Sequence, residues 1–310
     1  MIVTVTLNTS VDRVLAVPNF QVGSHTKGAL VGTLPAGKGV NVSRCLSTLG
    51  YASRATGFVG EADERLFVES FVDTKVKPSF VTVSGATRLD TTVLDHVGRT
   101  ETHIREEGFE VKARDLARLG RKLDELVSPG DLVVFCGSLP PGVTAAAFRE
   151  LLGACKAQGA KAAVDSSGLA LASAIKDGVF LVKPNLDEMS TLAGKRLSLW
   201  AEACVAADRL LNKVDVILVS LGPEGVLGVT REGCWRARCR VPQRDVVSTV
   251  GCGDALLAGY LADHVEGEPP SECLRLAVAC GAACALTPLA GVIRMSDVRR
   301  FTREARVWAV

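Results

Sequence analysis

The stretch Val247-Ser248-Thr249-Val250-Gly251-Cys252-Gly253-Asp254-Ala255-Leu256-Leu257-Ala258-Gly259 leads from a strand-like run, through a turn with two glycines, into an apolar helix. Glycine has no Cβ, so the backbone N–H groups of such a turn can approach a ligand closely. The first amides of a helix have no intrahelical partners and lie at the positive end of the helix dipole. The stretch therefore predicts an anion site at the start of a helix.

Asp254 lies in the first turn of this predicted helix. A carboxylate repels a resting phosphate, so its position favours chemistry over simple binding. It could accept a proton from a hydroxyl while the amides stabilise the charge on a transferring phosphoryl group. The structural alternative is a helix N-cap, which is a common role for aspartate after a glycine turn. Motifs elsewhere in the chain are needed to distinguish a catalytic base from a helix N-cap.

Around this stretch, strand-like and helix-like segments alternate through most of the chain, which predicts an α/β fold with a mostly parallel sheet covered by helices. No repeat, low-complexity segment or linker interrupts the pattern, so we expect one domain over 1–310. The short extended segments of 10–35 and the alternating residues of 87–107 predict a small antiparallel β flap, or lid, inserted in the core. The last helix is predicted near 296–306.

Composition excludes several classes of protein. The 310 residues carry a net charge of +2, and acidic and basic residues are interspersed. The sequence therefore gives no indication of a basic surface that would bind nucleic acid or an anionic membrane. The uncharged run 276–293 contains Pro288, so we expect a buried helix and a loop there instead of a membrane span. The N-terminus reads as a first strand, not a signal peptide. The ten cysteines form no Cys-x-x-Cys pair, which favours a reduced, cytoplasmic protein without a zinc site.

Four predicted strand ends carry small residues, a turn and one or two polar groups. They are Cys136-Gly137-Ser138-Leu139-Pro140-Pro141-Gly142, Asp165-Ser166-Ser167-Gly168, Lys183-Pro184-Asn185-Leu186-Asp187-Glu188 and Ser220-Leu221-Gly222-Pro223-Glu224-Gly225. Each segment alone could be an ordinary turn. The carboxyl ends of parallel strands meet at one edge of a sheet, however, so together these segments predict a single polar cleft.

These motifs, in this order, resemble the PfkB family of sugar kinases, and the resemblance covers nearly the whole chain. Ala36-Gly37-Lys38-Gly39-Val40-Asn41 is similar to the first signature of the family, and Ser248-Thr249-Val250-Gly251-Cys252-Gly253-Asp254 is similar to the second. Four segments resemble the hexose-phosphate kinase branch, namely Leu7–Asp12, Gly137–Gly142, Lys183–Asn185 and Ser220–Gly225. This branch includes 1-phosphofructokinase, tagatose-6-phosphate kinase and the minor 6-phosphofructokinase. The resemblance implies a ribokinase-like three-layer α/β/α sandwich with a lid.

The resemblance also implies roles for individual residues. Asp254 would be the base that takes the proton from the sugar hydroxyl, and the backbone of Gly251, Cys252 and Gly253 would be the anion hole. The residues that would hold the sugar are Asp12, Gly37, Lys38 and Asn41. For Cys252 an alternative stays open, since a thiol at a helix N-terminus can have a low pKa and be reactive.

The phosphate of a phosphosugar needs cations, and the resemblance assigns Arg88 to it, since a planar guanidinium suits that ligand. Lys27 on the lid and Ser138 are further candidates, while Arg105 would either contact the phosphate or face water. The implied ATP-binding residues are Lys183, Asn185, Ser220, Gly222 and Gly225. Glu188 would order Mg²⁺ through water.

The implied activity is ATP- and Mg²⁺-dependent phosphorylation of a hexose monophosphate. Fructose 1-phosphate, giving fructose 1,6-bisphosphate, is the expected substrate, with tagatose 6-phosphate and fructose 6-phosphate as alternatives. A catalytically inactive sugar-phosphate sensor is disfavoured, because it would not need the intact Gly-x-Gly-Asp and Asn-x-x-Glu motifs. The expected partners are the sugar phosphate, ATP and a second copy that packs through the lid.

Overall fold

The computed structural model describes residues 1–310 and contains two β-sheets. The eleven strands of the large sheet are β1 (Ile2–Thr6), β4 (Ser53–Gly60), β5 (Val76–Pro78), β6 (Val81–Val83), β9 (Leu132–Cys136), β10 (Lys161–Asp165), β11 (Val179–Val182), β12 (Val214–Ser220), β13 (Val226–Thr230), β14 (Gly233–Arg238) and β15 (Arg306–Ala309). The four strands of the small sheet are β2 (Ser10–Ala16), β3 (Ala29–Ala36), β7 (Arg88–Asp95) and β8 (Thr100–Arg105). The helices are α1 (Lys38–Thr48), α2 (Glu64–Glu69), α3 (Ala113–Leu126), α4 (Ala145–Ala157), α5 (Gly168–Asp177), α6 (Leu186–Ala193), α7 (Trp200–Asp208), α8 (Cys252–Val265), α9 (Pro270–Cys284) and α10 (Met295–Glu304).

The large sheet has the order β15-β14-β13-β12-β11-β10-β9-β1-β4-β5, with β6 beside β4. The strands from β12 to β5 pair in parallel, and β13, β14 and β15 extend the sheet with antiparallel pairs. Successive side chains of a strand point to opposite faces. Val133 and Phe135 therefore pack with α3 to α7, whereas Leu132 and Val134 pack with α1, α8 and α9. This is the predicted three-layer α/β/α sandwich with a mostly parallel sheet.

The small sheet, called the lid below, has the order β3-β2-β7-β8. Its two outer pairs, β2 with β3 and β7 with β8, are antiparallel as predicted, and a parallel pairing of β2 with β7 joins them. Because β2 starts four residues after β1 ends, the lid lies at the carboxyl ends of the large sheet's strands. The lid thus covers the edge at which the polar strand ends meet.

The C-terminus differs from its prediction. Helix α10 ends at Glu304, and residues 306–309 form the edge strand β15 instead of the last helical turn. The strand is only four residues long, and its pairing with β14 is a long-range contact that no local pattern encodes. The run 276–293 does form the end of buried helix α9 and a loop. None of the helices has the length and apolar character needed to span a bilayer.

Candidate active site

A polar cleft of about 490 Å³ lies between the lid and the carboxyl ends of the parallel strands. Ten of the predicted site residues line it: Asp12, Gly37, Lys38, Asn41, Arg88, Ser138, Glu188, Gly251, Gly253 and Asp254. A slightly larger groove, of about 570 Å³, lies between α6 and α7, but mostly aliphatic side chains line it. The polar cleft is therefore the candidate active site.

The N-terminus of α8 has the geometry of an anion hole. Gly251 precedes the helix with φ +78°, a conformation that favours glycine, and a Cβ there would lie 2.7 Å from the backbone N of Gly291. A Cβ on Gly253 would lie 3.3 Å from Nζ of Lys183, so that lysine lies beside the turn. Bare amides and a cation together favour an anion at this point.

Asp254 is buried at the same helix terminus, and Nδ2 of Asn41 donates a hydrogen bond to its Oδ2 at 2.8 Å. Burial raises the pKa of the Asp254 carboxyl to about 6, although the positive charge of Lys38 opposes the rise. A carboxylate with such a pKa is ionised at neutral pH and still basic enough to accept a proton, which suits a general base.

Asp165 is a site residue to which no sequence motif assigns a role, although it begins one of the four polar strand-end segments. Its Oδ1 accepts a hydrogen bond from Nζ of Lys38 at 2.9 Å, and its Oδ2 lies 3.3 Å from Nζ of Lys183. Burial opposes ionisation of Asp165, but the two lysines overcome it and hold the pKa of the carboxyl below its ordinary value. Asp165 thus fixes two cations next to the anion hole.

Helix α1 reaches the cleft because glycine permits close packing on β1. Gly37 has φ +116°, and a Cβ on it would lie 2.8 Å from Cγ2 of Thr6. A Cβ on Gly39 would lie 2.5 Å from Oγ1 of the same threonine. The first turn of α1 therefore lies directly on the strand end, which brings Lys38 and Asn41 to Asp165 and Asp254.

Arg88 lies at the lid side of the cleft. Its Nη1 lies 3.0 Å from Oδ2 of Asp90, and its Nε donates to the backbone O of Thr9 at 3.3 Å. Burial raises the pKa values of both Asp12 and Asp90, and Arg88 opposes each rise. Asp12 also accepts a hydrogen bond from Oγ of Ser10 at 2.7 Å. The two carboxylates can accept hydrogen bonds from hydroxyl groups, and the guanidinium groups of Arg88 and Arg105 at the same end can donate to an anion.

Further polar side chains complete this end of the cleft. Ser138 accepts a hydrogen bond from Nδ2 of Asn8 at 3.1 Å. Arg105, whose orientation the sequence left open, lines the cleft. Asp90 and His103, which belong to no sequence motif, line it as well. Asp90 on β7 pairs with Arg105 on β8, and His103 on β8 pairs with Thr92 on β7. Only this long-range pairing of β7 with β8 shows that Asp90, His103 and Arg105 reach the cleft.

The predicted nucleotide residues lie at the neighbouring ends of β11 and β12. Asn185 and Ser220 form an isolated parallel bridge, and Gly222 and Gly225 flank the short turn that follows. Oδ1 of Asn185 accepts from the backbone N of Glu188 at 2.8 Å, and Oε2 of Glu188 accepts from the backbone N of Asn185 at 2.8 Å. This capping box holds Glu188 at the cleft.

The five predicted nucleotide residues lie outside the lining of the cleft, and two further predicted residues, Lys27 and Cys252, are placed differently. Lys27 is exposed on the chain between β2 and β3 and does not line the cleft. The thiol of Cys252 points away from the cleft, where its contact with Cys284 and its burial raise its pKa well above the ordinary value. The alternative of a reactive thiol with a low pKa is therefore wrong, and only the backbone of Cys252 remains a candidate.

The lid contacts the loop before the anion hole through Glu101 on β8. The carboxylate accepts hydrogen bonds from Oγ of Ser248 and from both the backbone N and Oγ1 of Thr249. Ser248 Oγ in turn accepts from the backbone N of Val250, one residue before Gly251. Lid and anion hole are thus directly connected.

Comparison with known proteins gives consistent matches over more than nine tenths of the chain. The model of the pfkB family carbohydrate kinases matches residues 3–294. The 1-phosphofructokinases of Vibrio cholerae and Bacillus subtilis are each 33% identical, covering 91% and 93% of this chain and 88% and 93% of theirs. The crystal structure of phosphofructokinase-2 from Escherichia coli in complex with substrates and products superimposes with a TM-score of 0.91 at 30% identity, covering 97% of this chain and 98% of that one. The Arabidopsis thaliana ribokinase, at 21% identity and a TM-score of 0.69, has the same fold.

Proposed function

The chain belongs to the pfkB family of carbohydrate kinases and is a sugar-phosphate kinase, and from that premise we propose that it transfers a phosphoryl group from ATP to fructose 1-phosphate. The product would be fructose 1,6-bisphosphate. The observation that carries the proposal is the position of Asp254, a buried carboxylate beside bare helix amides in a cleft that also contains Arg88. The relatives named 1-phosphofructokinase support the choice of sugar.

In this proposal Asp254 accepts the proton of the sugar hydroxyl as the hydroxyl oxygen attacks the γ-phosphorus of ATP. The bond to the bridging oxygen breaks, and ADP leaves. The amides at Gly251–Gly253 stabilise the charge on the transferring group, and Lys183 beside them adds a positive charge. Phosphoryl transfer needs mainly positioning and charge neutralisation, so this small set of groups suffices.

The sugar phosphate would lie at the lid end. Arg88 binds the phosphate, because its guanidinium offers a planar set of donors. Asp12 accepts hydrogen bonds from sugar hydroxyls, since an ionised carboxylate is an acceptor only. Ser138 and Arg105 line the same end of the cleft and add donors.

The residues present fit Mg²⁺ as a companion of the nucleotide. No group of three His, Cys, Asp or Glu side chains converges to hold a metal, and Glu188 is the predicted contact that lines the cleft. Magnesium usually keeps several waters and binds through one or two carboxylates and substrate phosphates, which matches this donor set. When bound, it would neutralise phosphate charge, with Glu188 holding its water shell.

A coupled assay of ADP release over a panel of sugars tests the proposed substrate. We expect kcat/KM for fructose 1-phosphate to exceed that for tagatose 6-phosphate and fructose 6-phosphate at least about tenfold, and that for fructose by more, because Arg88 would have no phosphate to bind. A higher kcat/KM for tagatose 6-phosphate or fructose 6-phosphate would contradict fructose 1-phosphate as the substrate. Sugar-phosphate binding without any ADP release would favour the sensor alternative.

The rate should depend on pH through Asp254. Because the base must be ionised, and its pKa is raised to about 6 by burial, kcat/KM should fall about tenfold per pH unit below that value and level off above it. A profile from pH 5 to pH 9 measures this. Burial also raises the pKa of Asp263, farther along α8, to about 6, so Asp263→Asn is the control and should keep the same acidic limb. A flat wild-type profile would contradict the assignment.

The lid also favours a homodimer. Leu30 and Val31 are 60% and 40% exposed on β3, an edge strand of the lid, which leaves apolar side chains in water there. We expect light scattering after size exclusion to give twice the mass of the chain, and Leu30→Asp to yield monomers. Val205→Asp, at an equally exposed position on α7, should leave the mass unchanged. A monomeric wild type would contradict the dimer.

A further inference from the structure

The guanidinium of Arg44 contacts three parts of the chain behind Asn41. Its Nη1 donates to Oδ1 of Asn41 at 3.1 Å and to the backbone O of Ala290 at 3.3 Å, and its Nη2 donates to the backbone O of Pro35 at 2.5 Å. The carbonyl oxygens of lid strand β3, of the loop after α9 and of Asn41 thus converge on one side chain. None of the sequence motifs singles out this arginine.

The amide of Asn41 lies between Arg44 and Asp254. Its nitrogen is a hydrogen-bond donor and its oxygen is an acceptor. Nδ2 faces the carboxylate of Asp254 at 2.8 Å, and Oδ1 faces Arg44. A side-chain amide could in principle rotate and exchange its oxygen and nitrogen. Arginine has donors only, so it can donate to Oδ1 of Asn41 but would repel the N–H end of the amide.

We propose that Arg44 is a positioning residue that fixes the orientation of the Asn41 amide, so that Asn41 always donates to Asp254. The inference rests on the proposed role of Asp254 as the base. Packing supports it, because a Cβ on Gly291 would lie only 2.7 Å from Cβ of Asn41. The loop that contains Gly291 therefore packs directly on the side chain of Asn41 and helps to hold it beside Arg44.

The consequence concerns the proton affinity of the base. The hydrogen bond from Asn41 lowers the pKa of Asp254 against the effect of burial. If the amide rotates, a carbonyl oxygen faces the carboxylate and the pKa rises further. The other titratable groups that act on Asp254 or sense its charge stay in place: Lys38, Lys183, Asp165, Cys45, Cys136 and Cys252. Those that interact with Arg44 are Asp12 and Cys45.

Two substitutions of Arg44 distinguish a role in orienting the Asn41 amide from a merely structural role. Lysine, like arginine, has donors only and preserves the preference for Oδ1 of Asn41. Glutamine donates and accepts equally well, so it does not distinguish the two orientations. We expect the acidic limb of kcat/KM in Arg44→Gln to move up by about one pH unit, which is a tenfold change in proton affinity. Arg44→Lys should keep the limb within about 0.3 units.

If the acidic limb of kcat/KM lies at the same pH in Arg44→Gln and Arg44→Lys, the inference is overturned, even if both variants lose rate at every pH. Arg44→Met, which has no donor, replaces the glutamine variant if that one does not fold, and its limb should also move up. Titration of the Asp254 carboxyl by ¹³C NMR, with its signal assigned through Asp254→Asn, measures the same shift without turnover. If the wild type phosphorylates no sugar, the proposed function fails, and this titration still decides the role of Arg44.

Discussion

Replacing Asp254 by asparagine is expected to lower kcat by about 10³-fold or more, because the variant cannot accept the hydroxyl proton. Asparagine has nearly the same shape, and its side-chain oxygen can still accept the hydrogen bond from Asn41, so binding of ATP and sugar phosphate should change little. Steady-state kinetics together with calorimetric titration of each substrate separate the loss of rate from the loss of binding.

The same variant should be more stable than the wild type at pH 8. The pKa of Asp254 is raised in the folded state, to about 6 from an ordinary value of 3.8, so ionisation above that range costs folding free energy. The gain should vanish near pH 4 and below, where the carboxyl is protonated in the folded protein. Thermal unfolding at both pH values measures it. Retained turnover, or equal stability at pH 8, would contradict the buried-base assignment.

Removal of Arg88 is expected to raise KM for the sugar phosphate by about 100-fold, with KM for ATP within about threefold of the wild type. One lost charge-assisted hydrogen bond accounts for about 1.5–3 kcal/mol. Asp90, 3.0 Å from Arg88 in the wild type, would then face the phosphate without its cation and add repulsion. Steady-state kinetics of Arg88→Ala with each substrate varied in turn provide the measurement.

Two further variants make the Arg88 experiment specific. Arg99→Asn removes a positive charge from the exposed turn of the same lid hairpin, where the backbone has φ +51°, and should leave both KM values unchanged. Arg88→Ala combined with Asp90→Asn should recover part of the lost affinity, because the double variant removes the repulsion. If Arg88→Ala weakens ATP and sugar phosphate equally, the assignment of Arg88 to the sugar phosphate fails.

The sequence predicts the parts of this site that lie within one continuous motif. The glycine turn before Asp254 and the first turn of α1 are examples, since glycine, helix start and polar residue are neighbours in the chain. Asp165 could not be assigned this way, because its partner Lys38 lies 127 positions away and only the sheet order brings them together. Lys27 is the converse case, because it was predicted for the site and does not line the cleft. A positive charge in an extended segment gives no information about where that segment lies in the fold.

Glu101 connects the lid to the loop that precedes the anion hole, so a displacement of the lid would strain or break these hydrogen bonds. A sugar bulky enough to displace the lid is therefore expected to displace this loop from the site of transfer as well. Such a compound would occupy the cleft without being turned over, and would act as a competitive inhibitor instead of a slow substrate. Inhibitor design against this enzyme could therefore enlarge the sugar on its lid-facing side and leave its phosphate intact.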